Sequence, residues 1–198
     1  MYYGAYRGIR DGAWRCLCDY KIDKLPVDII SIARQSGIRI VKNSVVKELL
    51  EGERGKSYYD GEIWVIVYDD RATVESARVT IAHELGHIFL GHDLEFSVGS
   101  HVRVFSGSKD NEKKADMFAE RILCPSCVLW GLGLRETDDL QRICRVTKAI
   151  ASKRSRRLKV LYERNMFLTS ELEQELYENF KGYIEEEKQK MNCSESTT

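Results

Sequence analysis

The eleven residues Thr80 to Leu90, TIAHELGHIFL, limit this chain more than any other stretch. An apolar helical run here carries His83, Glu84 and His87 together. Each buried imidazole or carboxylate needs a partner, so a purely structural helix gains little from all three. On a helix, His83 and His87 are four residues apart and share one face. Their two nitrogens can bind one Zn²⁺ at about 2.0–2.1 Å each. Glu84 lies about 100° round the helix, where it reaches a water rather than the same ion. H-E-x-x-H thus supplies two ligands and a base, the arrangement of a zinc hydrolase.

A catalytic zinc takes three protein ligands and keeps one position open. Asn111-Glu112-Lys113-Lys114-Ala115-Asp116 offers the third on a second predicted helix. Glu112 and Asp116 are one turn apart on a shared face. Glu112 can complete the coordination, and Asp116 can accept from the outer nitrogen of a ligating histidine and fix its tautomer. The rival pattern H-E-x-x-H-x-x-G-x-x-H is out of register, because Leu90 and Asp93 stand where it needs glycine and histidine. His92 is therefore read as a helix-end residue facing the negative end of the dipole. A closed structural zinc site would normally use cysteine and has no need of a glutamate at position 84. For the donor that stabilises an oxyanion, His101, Arg103, Tyr58 and Tyr59 are all open candidates.

The pattern around this constellation predicts an α+β fold. A small antiparallel sheet packs against the zinc helix, and a mainly helical extension follows. A helix is expected from about Pro26 to Gly37, then a strand at 38–41 and a helical turn within 45–50. Asp60-Gly61 between apolar runs marks a hairpin joining Ser57-Tyr58-Tyr59 to Ile63–Tyr68. The zinc helix spans Arg71 to Leu90. A short strand at 102–105 and a helix from Asn111 to Leu123 come next. The strand Ile63–Tyr68 precedes the zinc helix directly. At a sheet edge it would let a substrate add as a further strand, and a pure core strand is the alternative. The expected segments are an aromatic and basic helical stretch at 1–24, a zinc metallopeptidase core at 25–130, a helical extension at 131–192 and a disordered tail at 193–198.

Lys+Arg and Asp+Glu are each 31, so the net charge is zero and the whole surface is no nucleic-acid footprint. The charge is unevenly placed. Residues 142–164 are strongly basic and 171–187 strongly acidic, which suggests antiparallel helices that cancel each other. Residues 139–151 could form a degenerate helix-turn-helix, but a basic helix packed on the core or on the acidic tail is favoured. Direct nucleic-acid binding is thus not excluded and not favoured. The start of the chain is not a signal peptide, and Ile63–Tyr68 is far too short to cross a bilayer. A soluble, cytoplasmic protein with no membrane partner is expected. The six cysteines are then reduced. Cys16-Leu17-Cys18 and Cys124-Pro125-Ser126-Cys127 lie too far apart in sequence to read as a zinc knuckle.

IAHELGHIFLGH followed by EKKADMFAERILCP resembles the ImmA/IrrE family of metallo-endopeptidases. The likeness runs from about Leu25-Pro26-Val27 to Cys124-Pro125, with a looser match beyond, and Arg78-Val79-Thr80-Ile81 is the lead-in to the first histidine. It implies His83, His87 and Glu112 as Zn²⁺ ligands and Glu84 as base. The chain departs from the family at Cys124, where methionine is usual, and at Tyr68-Asp69-Asp70, where an asparagine is expected. The resemblance further implies a regulatory protease of bacteria, phages or mobile elements whose protein substrate is a helix-turn-helix repressor. The competing reading is a zinc-containing regulator that binds DNA or protein without cleaving it.

Overall fold

The computed structural model describes residues 3–92, 94–96, 103–105 and 108–195. Its architecture is α+β. Helix α1 (Tyr3–Asp19) forms despite three glycines, because Ala13, Trp14 and Leu17 are buried and the helix packs on two others. Helix α2 (Ile29–Gln35) begins where Asp28 accepts from the Ser31 amide at 2.9 Å. The Leu25-Pro26 peptide is cis and lies before the helix, so Pro26 is not in its first turn. Gly37, at φ +71°, supplies the left-handed turn into β1 (Arg39–Lys42). The expected helical turn is α3 (Asn43–Val46), earlier than its sequence suggests, because Lys47 at φ +56° stops it.

β2 (Gly55–Tyr59) and β3 (Trp64–Tyr68) form the expected hairpin. Asp60 Oδ1 accepts from the amides of Glu62 and Ile63, both at 2.9 Å, and Gly61 takes φ +109°. β2 starts two residues before the expected Ser57, inside a segment whose polarity reads as loop. Helix α4 (Val74–Phe89) is capped by Thr73, whose hydroxyl accepts from the Ser76 amide. β4 (Leu94–Phe96) and β5 (Arg103–Phe105) follow, and then α5 (Lys109–Leu123).

The sheet order is β1-β3-β2-β5-β4. Two features differ from expectation. The sheet is mixed rather than wholly antiparallel, because β1 pairs with β3 in parallel, Ile40 opposite Ile66. β3 is also no edge. It is bonded to β1 on one side and β2 on the other, so no substrate strand can add to it. Its all-apolar sequence, with Val65, Ile66 and Val67 buried, is the signature of that interior place.

α4 lies against β2 and β3, α5 lies against α4, and α1 covers α5. The C-terminal helices are α6 (Ser126–Gly131), α7 (Thr137–Cys144), α8 (Lys148–Glu163), α9 (Glu171–Asn179) and α10 (Lys181–Glu195). Helix α10 thus runs into the expected tail, whose last three residues lie outside the described ones. One apolar cluster joins α1, α2, α4, α5 and the C-terminal helices, with Trp14, Phe118 and Phe180 fully buried. The basic and acidic stretches do not cancel each other in the expected way. Lys153 of α8 pairs with Glu120, Lys159 pairs with Glu136, and Glu175 of α9 pairs with Arg15. Arg154 is 3% exposed. No described helix is long and apolar enough to cross a membrane.

Candidate metal centre

The centre is built where α4 and α5 touch backbone to backbone. A Cβ on Gly86 would stand 3.1 Å from both Cα and O of Ala115, and 3.2 Å from Phe118 Cβ. Ordinary contact begins near 3.4 Å. The missing side chain at 86 and the small one at 115 therefore let the helices close. That approach carries Glu112 and Asp116, one turn apart on α5, over His83 and His87 on α4.

The donor atoms converge. His83 Nε2 and His87 Nε2 are 3.1 Å apart. Glu112 brings Oε2 to 3.2 Å from His83 Nε2 and Oε1 to 3.3 Å from His87 Nε2. Ligands held about 2.0–2.1 Å from one tetrahedral ion stand about 3.3–3.4 Å apart, so this triangle fits a single metal ion. Among the described residues these three form the one His/Cys/Asp/Glu group arranged to hold a metal, and none of it is cysteine.

Both histidines are held from behind. Asp116 Oδ1 lies 2.9 Å from His83 Nδ1. With the proton on Nδ1, the lone pair of Nε2 points into the triangle. His87 Nδ1 lies 2.9 Å from Nδ1 of His92, so the same tautomer of His87 donates to His92. His92 does stand at the end of α4, its amide donating to the His87 carbonyl at 3.2 Å, and its side chain is buried beside the His87 ring, a contact the sequence did not announce.

Charge at the centre is tuned by burial and by three carboxylates. Burial opposes protonation of His83, yet the Asp116 hydrogen bond and the charges of Glu84, Asp116 and Glu112 hold the imidazole above its usual value. Surroundings that favour a proton there also favour a cation in its place. Burial, with His83 and His92 nearby, pushes His87 down to about 3, so it is a neutral imidazole, the form that binds metal. Glu84 is 8% exposed. Burial raises its carboxyl, against the opposing hydrogen bond from Ser57 and the charge of His83. Ser57 Oγ donates to Glu84 Oε2 at 2.5 Å.

His83, Glu84, Glu112 and Asp116 face a cleft of about 270 Å³, also lined by Arg54, Gly55, Val79 and Thr80. A Cβ on Gly55 would come within 2.3 Å of Thr80 Cγ2, so β2 needs glycine to pass this close to α4. Tyr58 and Tyr59 are absent from this lining. The Tyr58 hydroxyl points to Glu48, and Tyr59 packs on Trp64. His101 and the side chain of Arg103 lie outside the described residues. Sequence reasoning missed Gly55, Ser57, Gly86 and the role of His92. Only Gly86, inside H-E-L-G-H, carried a local signal.

A family model described as the IrrE N-terminal-like domain, of the M78 peptidases, matches residues 33–160. The chain belongs to the M78 peptidase family. The match takes in α4, α5 and every residue of the centre, and it reaches further toward the C-terminus than the likeness read from motifs alone. Comparison with curated proteins gives no match. As an M78 peptidase, the chain has protein as its substrate class, and its His83–His87–Glu112 cluster can bind a metal.

Proposed function

We propose that this M78 peptidase is a zinc-dependent endopeptidase that cleaves a helix-turn-helix transcriptional repressor. One observation carries the proteolytic reading: three donors spaced for one ion lie beside a buried, hydrogen-bonded glutamate that is not needed to complete the triangle. His83, His87 and Glu112 would hold Zn²⁺, and Asp116 would orient His83. Zn²⁺ supplies positive charge for a developing oxyanion and makes a water more acidic.

The chain's own residues do the rest. Glu84, raised by burial, is a stronger base than an exposed carboxylate. It takes a proton from the attacking water and returns it to the amide nitrogen that leaves. Ser57 holds one oxygen of that carboxylate, so the other is the free acceptor. Arg54 at the mouth of the cleft offers a donor to the substrate backbone. The choice of repressor rests on the likeness to regulatory proteases of the ImmA/IrrE type and on nothing in the cleft.

The test pairs the parent with Glu84→Gln. Zinc content, thermal stability and cleavage of the repressor encoded nearest the gene are measured for both. One zinc per chain in each, with turnover in the variant lower by about 10²–10⁴, is expected. Equal cleavage by both removes Glu84 from the role of base. Zinc in both, cleavage of other proteins and none of the repressor would overturn the substrate assignment alone.

A further inference from the structure

Under α1, away from the metal cleft, arginines from three helices meet around a cavity of about 60 Å³. Arg121 of α5 and Arg154 of α8 are 4% and 3% exposed. Arg157, half-buried, joins them one turn along α8. Arginine is almost never this buried unless an anion or a full set of acceptors meets it. Here the acceptors are few. Arg121 gives one bond to the Met117 carbonyl and one to the Tyr6 hydroxyl, and lies over the Tyr6 ring at 4.3 Å. Arg154 gives one to the Cys124 carbonyl. None of the three forms an ion pair with a carboxylate among the described residues.

Two buried donors on the lining, Arg154 Nε and Trp14 Nε1, have no acceptor among the described residues. Leaving each unmade costs stability, so both point to a missing partner that accepts hydrogen bonds. Glu173, 2% exposed, is the one carboxylate on the lining, and its Oε2 is held by the amide and hydroxyl of Thr169. Arg7 and Arg10, at the rim, are already paired with Asp11. Five guanidiniums against Asp11 and Glu173 leave three positive charges. The phenol of Tyr6 reports the same excess. Burial would raise it, yet Arg121, Arg157 and Arg154 bring it below its ordinary value.

We infer that this cavity is a binding site for a phosphoryl dianion, held by Arg121, Arg154 and Arg157 with the Trp14 indole as a further donor. A dianion offsets most of that excess. The volume exceeds the roughly 10–15 Å³ that one water needs, and is small enough to select a compact oxyanion. Planar guanidiniums bind such an oxyanion in bidentate fashion. The site is independent of the peptidase reading, since no residue of the metal cleft lines it. Free phosphate and a phosphoryl group on a small organic molecule share this chemistry.

The experiment uses full-length protein with ¹⁵N-labelled tryptophan at constant ionic strength, chloride balancing the added anion. Inorganic phosphate and phosphoserine are titrated separately. Of the three indole N–H signals, the one missing in Trp14→Phe should shift saturably while the others stay. The probe that saturates at lower concentration identifies the source. Arg157→Gln should weaken binding at least tenfold, and Glu173→Gln, which removes the opposing charge, should tighten it. Lys159→Gln, an equal loss of charge on the surface of α8, should leave it unchanged. Shifts that grow linearly with both probes overturn the site. So does equal weakening by Lys159→Gln and Arg157→Gln, which marks general attraction to a basic helix. If Arg157→Gln does not fold, the Trp14 signal of the parent and the Glu173→Gln titration decide alone.

Discussion

Substituting Gly86 by alanine should separate the stability of this protein from its hold on metal. The added methyl would meet Ala115 Cα and O at 3.1 Å and Phe118 Cβ at 3.2 Å, tighter than ordinary contact by a few tenths of an ångström. Two of those atoms are α5 itself, so the helix must move. Overpacking of this kind costs about 1–3 kcal/mol. Alanine returns about 1 kcal/mol of helix propensity. The net cost is about 0–2 kcal/mol, a fall in Tm of at most about 8 °C for a chain of this size. The displacement acts differently on the centre. Glu112 moves with α5 while His83 and His87 stay with α4, and metal sites tolerate about 0.2 Å. Zinc affinity, measured by competition with a chromophoric chelator, should drop by about tenfold or more, with melting of the metal-free variant shifted only slightly. A variant with unchanged zinc affinity would refute the claim that this backbone contact sets the ligand spacing.

Asp116→Asn should lower zinc affinity about 10–100-fold by releasing the His83 tautomer, and excess zinc should restore cleavage; activity unaffected at limiting zinc would count against it. Glu173→Gln should lessen the fall in Tm with rising pH, measured in the presence of chelator. Burial raises that carboxyl above its ordinary 4.5, with the Thr169 amide and Arg10 only partly opposing. The folded state thus binds the proton more tightly than the unfolded one, and the parent loses stability as pH rises through that window. An equal loss of Tm between pH 4 and pH 8 in parent and variant would contradict this. Iodoacetamide at pH 8 should modify the exposed Cys193 first, read as a single adduct by mass. Burial pushes Cys16 up to about 12 and Cys18 to about 11, so they and the other buried thiols should react only on unfolding.

The centre was legible because its spacing is local. His83 with His87, and Glu112 with Asp116, are each one helical turn apart, and a turn is short-range information. What joins the two pairs is not local. The fit of Gly86 against Ala115 and the reach of Ser57 from β2 to Glu84 depend on how elements pack. His92 was legible as a helix-end residue, but its inward turn against His87 depends on packing. The interior place of β3 could have been anticipated from its unbroken apolar run, but the parallel partner β1 comes from a distant segment. The basic stretch packs on the core through Ile150, Ala151 and Leu158, as favoured, but only the fold shows that one of its arginines, Arg154, turns inward toward Trp14 and Tyr6.

The backbone contact between α4 and α5 bears on the life of the protein as well as on its chemistry. An ion held by donors from both helices is a clasp between them, and the clasp does not exist in the unfolded chain. Its binding energy is therefore added to folding. An M78 chain starved of metal is then not an idle copy waiting for its ion. It is a looser one, open more often at the seam between Gly86 and Ala115, and cleared sooner by the proteases that sample open states. The supply of metal would set how many molecules persist, and not only how many can cut.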